Sequence, residues 1–131
     1  MNKLRRWGIE LGRMFDLQYT SLEAEREGVT SHYGVCYEDG AIRIRLRHAR
    51  TKRLLKESSL VDTLCHELAH VRYLNHGLRF RRLYHEILDE ARRLGHYRPG
   101  PGEQPRLRQG KLFDSEACGT RPDGKGHATT L

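Results

Sequence analysis

The sequence predicts one small α+β domain, with a core of helices and a short antiparallel β-sheet lying against the central helix. Three observations lead there. Two long segments, one ending near Tyr73 to Asn75 and one running from Gly77 to Leu94, repeat apolar residues at helical spacing. Between them and the N-terminus, two short alternating segments flank Glu38-Asp39-Gly40, a hairpin turn signal. The whole chain has 131 residues, 37% of them hydrophobic and 31% charged, which suffices for one modest core.

Taken in order, residues 3–17 place Leu4, Trp7, Leu11, Met14 and Phe15 on one side of a helix that packs on the domain. Thr20 with Glu23 forms a capping-box pattern, which predicts a short helix ending at Gly28. Residues 32–37 and 41–47 make the hairpin, with Arg43, Arg45 and Arg47 on the face opposite Ile42, Ile44 and Leu46. If 41–47 is an edge, it offers its backbone to an extended ligand by strand addition. Residues 48–57 form a basic connection. Ser58 and Ser59 are N-cap candidates for the next helix, with Asp62 in its first turn. The helix from Gly77 to Leu94 carries Phe80, Leu83, Tyr84, Ile87, Leu88, Ala91 and Leu94 as one stripe, and Gly95 ends it. Beyond Tyr97 stand all four prolines, six glycines and almost no apolar residues. The expected division is therefore a domain over 1–97 and a Pro/Gly-rich flexible tail over 98–131.

The central helix carries His66-Glu67-Leu68-Ala69-His70. Residues four apart sit about 40° apart around a helix axis, so His66 and His70 face the same way. Leu60, Val61, Leu64, Leu68 and Val71 project to the other side, so the helix buries one face and turns the histidines toward a cleft. Two imidazoles one turn apart can grip one Zn²⁺. Glu67, next to the first of them, is placed to take a proton from a water held by the metal. A catalytic zinc takes three protein ligands and keeps one open position. His76 leads for the third. On an unbroken helix it would lie about 120° from His70, so the chain must leave the helix near Tyr73 to Asn75, where Asn75 and Gly77 tolerate a left-handed helix end. Glu90, on the following helix, is the rival, the arrangement thermolysin-like enzymes use.

The stretch from His66 to Phe80, HELAHVRYLNHGLRF, resembles the SprT-like and YgjP-like bacterial metal-dependent hydrolases, and more distantly the Wss-type proteases. Those families share the two motif histidines and glutamate, a third histidine six residues on, and a phenylalanine four residues later, here His76 and Phe80. Tyr33-Gly34-Val35-Cys36 stands where the YgjP-like family has Trp-Gly-Ser-Cys, with Val35 in place of serine. Ala41 to Leu46 matches the strand those families set beside the cleft, and Leu60 to Leu64 resembles the SprT-like approach to the motif. The likeness covers roughly Thr30 to Leu94 and implies a zincin-like, minigluzincin-type domain. The cysteine-rich zinc ribbon of most SprT proteins does not follow. Metzincins share the histidine spacing, but they have glycine where Tyr73 stands and a methionine turn downstream, whereas Met1 and Met14 both lie upstream.

The charge bounds the partners. The net charge is +7, and all but five of the 24 basic residues are arginine. Arg43, Arg45, Arg47, Arg50, Lys52 and Arg53 form the densest cluster, which reads as a solvated strand face or as a weak nucleic-acid contact. No apolar run approaches the roughly 18 residues of a membrane span, and the basic start lacks an apolar h-region. Cys36, Cys65 and Cys118 are odd in number and read as reduced thiols, so a cytoplasmic protein is expected. The combined expectation is a zinc-dependent metallopeptidase acting on a peptide or protein substrate, with Glu67 as general base and His66, His70 and His76 on the metal. The alternatives are a zinc-bearing nucleic-acid-associated module with a closed structural site, and an SprT-like protease acting on DNA-bound proteins. Cys118-Gly119-Thr120-Arg121-Pro122-Asp123 resembles the cysteine-switch segment of matrix metalloproteases, which implies a tail able to place a thiolate on the zinc.

Overall fold

The computed structural model describes residues 1–26, 29, 31–102, 118–120 and 127–130. Its elements in chain order are α1 (Asn2–Met14), β1 (Ser21–Ala24), β2 (Gly34–Tyr37), β3 (Ala41–Ile44), α2 (Glu57–Arg72), α3 (Leu78–Arg93), β4 (Cys118–Thr120) and β5 (His127–Thr130). This is the α+β architecture expected: helices packed together, with a small sheet against α2. Among the described residues, no helix is long and apolar enough to cross a membrane.

Helix α1 buries Leu4, Gly8, Leu11 and Gly12. A Cβ at Gly8 would stand 2.8 Å from the Tyr19 hydroxyl and 3.0 Å from Leu22, so the glycine lets α1 approach β1 closely. The buried stripe is centred on these small residues. Met14 lies about 100° from that centre and is 45% exposed, against the expectation that it packs inward.

The segment after α1 is a correction. Residues 21–24 form strand β1, parallel to β3, and not a capped helix; Gly28 lies outside the described residues. Tertiary contacts override the local pattern here. Leu22 is buried opposite Ile42, and the Glu23 carboxylate accepts from Arg5 at 2.7 Å instead of reaching back to cap Thr20.

The hairpin is present as β2 and β3. Gly40 takes a φ of +89°, the conformation the Asp-Gly turn needs. Asp39 tightens the turn by accepting from the Ala41 amide at 3.0 Å. The sheet order is β1-β3-β2-β5-β4, with β1 and β3 parallel and the other pairs antiparallel. Strand β3 therefore has neighbours on both sides, and the expectation of an edge at 41–47 is overturned. It also ends at Ile44, so Arg43, Arg45 and Arg47 do not share one strand face. Each has its own local contact. Arg43 lies 3.8 Å from Glu25, Arg45 sits over the Tyr33 ring at 4.4 Å, and Arg47 donates to the Lys52 carbonyl at 3.0 Å.

Helix α2 begins one or two residues before the serines. Lys56 is its N-cap, and Glu57 supplies the first-turn acid while pairing with Lys3 at 3.1 Å. Leu60, Val61, Leu64 and Leu68 are buried as expected, with Val71 packed at the margin. Helix α3 buries Phe80, Leu83, Tyr84, Ile87, Leu88 and Ala91 against it. Gly95, at φ +82°, turns the chain so that the His96 and Tyr97 amides donate back to the Ala91 carbonyl. Of the tail expected from residue 98, positions 103–117, 121–126 and 131 lie outside the described residues, while β4 and β5 join the sheet.

Candidate metal centre

Three histidines meet where α2 ends and α3 begins. Nitrogens of His66, His70 and His76 all lie within 4.8 Å of one another. His66 and His70 come from one face of α2, as their spacing requires. His76 reaches them because α2 stops at Arg72 and Tyr73 takes an extended conformation. The left-handed helix end expected at Asn75 and Gly77 does not form. The Asn75 side chain instead accepts from the Gly77 amide at 3.0 Å, a local turn, and Gly77 then serves as N-cap of α3 in an extended conformation.

The donor set fits zinc. Tetrahedral zinc with bonds of about 2.0–2.1 Å needs neighbouring nitrogens roughly 3.3 Å apart, and His70 Nε2 and His76 Nε2 stand 3.1 Å apart. His70 Nδ1 lies 2.9 Å from the Tyr73 carbonyl. A carbonyl only accepts, so Nδ1 carries the proton and the Nε2 lone pair faces its partners. Burial, and then the neighbouring His76, pull the His70 pKa down to about 3, although the Tyr73 carbonyl opposes them. Burial also lowers that of His76. Both rings are thus neutral at pH 7, the form that binds a metal. Among the described residues the cluster contains these three side chains and no fourth.

The rings are held by aromatic packing, a role the sequence reading did not give to these residues. Phe80 stacks on His70 at 4.3 Å between centroids and meets His66 edge-on at 4.9 Å. Tyr84, one turn further along α3, meets His66 at 5.5 Å. The site is consequently more enclosed than the expected cleft, with His66 and Glu67 at 0% exposure and His70 at 1%.

Glu67 lies beside the three histidines, with Oε2 3.4 Å from His66 Nδ1. Strand β2 runs against it. A Cβ at Gly34 would stand 3.1 Å from both Cγ and Oε2 of Glu67 and 2.6 Å from Thr63 Cγ2, so that position requires glycine. The neighbouring thiols are protonated. Burial, followed by the charges of Glu67 and Asp39, pushes Cys36 up to about 12. Burial, then Asp62, raises Cys65 as well. Neither is a thiolate nucleophile at neutral pH.

Glu90, the rival third ligand, is not in the cluster. It lies toward solvent on α3, where it accepts from Arg93 Nε at 2.9 Å and Nη2 at 2.7 Å. The residue types and positions of Tyr73, Tyr84, Tyr97 and Arg79 make each a possible second oxyanion donor; of these, Tyr84 gives its hydroxyl to the buried carboxylate of Asp62, one turn before His66. Tyr97 is buried against the core, and Arg79 is exposed. Tyr84→Phe should leave Asp62 without this donor and cost about 1–3 kcal/mol of stability, read by denaturant titration. Zinc-loaded, folded Tyr84→Phe should keep kcat within a few-fold; a collapse of kcat at full zinc occupancy would make Tyr84 an oxyanion donor. A carboxylate one turn before His66, on the histidine face of α2, and a tyrosine inside the apolar stripe of α3 were the available sequence signal for this pair.

Comparison with known proteins gives a consistent fold. Wss1 from Saccharomyces cerevisiae matches with a TM-score of 0.64 at 18% identity, covering 71% of this chain and 77% of that one. A mutant of the same protein matches with a TM-score of 0.63 at 18% identity, over 72% and 79%. A Wss1 mutant from S. pombe matches with a TM-score of 0.53 at 23% identity, over 64% and 73%. No curated protein matches the chain. The family model for the WLM domain matches residues 10–125, which span α1 through β4 and contain all three histidines and Glu67. Of the resemblances read from the motif, the fold agrees with the Wss-type one, and the chain belongs to the WLM domain family.

Proposed function

We propose that this chain is a zinc-dependent metallopeptidase that hydrolyses peptide bonds. One observation carries the reading: three imidazoles converge beside a buried glutamate side chain that is not one of the cluster. His66, His70 and His76 would hold the ion. Bound there, zinc would polarise the scissile carbonyl and lower the pKa of a water toward about 7. Glu67 would accept a proton from the attacking water and return it to the leaving amine. The Tyr73 carbonyl fixes the His70 ring, and Phe80 limits how far the three rings can turn. The direct test is hydrolysis of denatured casein, its loss on chelation and its return on adding zinc. A zinc-loaded, folded protein that cleaves no unfolded polypeptide would contradict the reading.

A second observation favours substrates attached to nucleic acid, the SprT-like version of the same activity. A cavity of 210 Å³ is lined by Arg26, Arg45, Arg47, His48 and Lys52, with Glu25 at its wall. Phosphate oxygens fit such a basic recess. A closed structural zinc module is the weaker alternative, since among the described residues no fourth ligand joins the histidines. Single-stranded DNA should bind weakly, with log affinity falling linearly with log salt. Neutralising Arg43, Arg45 and Arg47 together should lower both the affinity and the salt slope. An unchanged slope in the triple variant, or no binding at low salt, would assign these arginines to solubility and local packing.

A further inference from the structure

Strand β2 has two backbone edges beside the metal centre. One is paired with β3, in the register Gly34↔Ile44, Val35↔Arg43 and Cys36↔Ile42. Gly34 packs directly on the Glu67 side chain, so β2 is a strand that touches the candidate base, and its edge away from β3 is the one to which an extended chain could add. This second edge is taken. Strand β5 pairs with it antiparallel, in the register Val35↔Thr130, Cys36↔Thr129 and Tyr37↔Ala128.

We propose that β5 fills, within the same molecule, the strand position an extended polypeptide substrate needs, so that the chain is latent until β5 is displaced. The inference rests on the metallopeptidase reading above. Backbone hydrogen bonding gives strand addition its affinity and is indifferent to the identity of the strand added. A tethered strand therefore competes with any extended substrate, at an effective concentration set by its linker.

The ladder that holds β5 is short. The strand has four residues, and on its far side, among the described residues, it meets only β4, which has three. Two of the four are threonines, which suit a strand. A ladder of this length is open to exchange with a longer incoming strand, so the block is reversible. The placement also bears on the tail cysteine. Cys118 belongs to β4, one strand further from β2 than β5. Competition for the backbone edge accordingly needs no thiolate on the metal.

The test uses the full chain carrying Ala128→Pro together with Thr129→Pro. Neighbouring residues of an antiparallel strand address opposite partners, so one of the two prolines removes bonding to β2 and the other bonding to β4. Zinc content is measured for both proteins, with denatured casein as substrate. The expected result is a KM about tenfold lower in the variant at unchanged kcat, with faster amide exchange over Gly34–Tyr37. The peptide His-Ala-Thr-Thr-Leu, the sequence of residues 127–131, needs no variant to report on the same edge: added in trans at millimolar concentration, it should inhibit the wild type competitively. One shared KM, unchanged amide exchange in the variant, or failure of the peptide to compete would each overturn the inference alone. Hydrolysis by neither zinc-loaded protein would overturn the metallopeptidase reading and this inference with it.

Discussion

Glu67→Gln should retain its zinc and lose hydrolysis by about 10²–10⁴-fold, the usual effect of removing a general base. Glutamine matches glutamate in size, so it can occupy the buried space beneath Gly34 without moving β2. It also leaves His66, His70 and His76 in place. What it removes is the ability to take and return a proton. Zinc analysis and casein hydrolysis on the same preparation separate the two effects. Loss of zinc would make Glu67 a ligand or its support. Turnover at the wild-type rate would place the base elsewhere.

His76→Ala should lower zinc affinity by more than the roughly 10–100-fold that loss of an outer-shell partner costs, and Glu90→Ala should leave it unchanged. His76 Nε2 stands 3.1 Å from His70 Nε2, whereas Glu90 is committed to Arg93 on the outer face of α3. Dialysis of both variants against a weak chelator, followed by metal analysis, reads the difference. Equal retention of zinc by His76→Ala and the wild type would remove His76 from the ligand set.

The parts of this fold legible in the sequence are those governed by local periodicity. The α3 stripe from Phe80 to Ala91 and the Asp-Gly turn at Gly40 follow from spacing and backbone sterics, and both occur as expected. The convergence of His66 and His70 follows likewise from helix geometry. The parts that were not legible depend on partners far away in the chain. Thr20 and Glu23 read locally as a helix start, yet Leu22 pairs beside Ile42 and Glu23 meets Arg5. The strand from Ala41 read as a candidate edge because nothing local announces that β1 will lie beside it in parallel. That His76 reaches the other two histidines required a helix break, which the sequence indicated. The means, an extended Tyr73 and an Asn75 side-chain turn, differs from the left-handed residue that Asn and Gly suggested. Phe80 was visible as a motif residue and Tyr84 as core and as a possible oxyanion donor, but their packing as one aromatic wall against the histidines was not. Only the packing of α3 on α2 brings those rings against His66 and His70.

The central claim is an open, three-histidine zinc site, and X-ray absorption at the zinc edge of the zinc-loaded protein tests it most directly. The account predicts one zinc per chain, three imidazole nitrogens at about 2.0–2.1 Å and one further light atom from solvent. Four protein ligands around the ion, or a sulfur at about 2.3 Å, would contradict it.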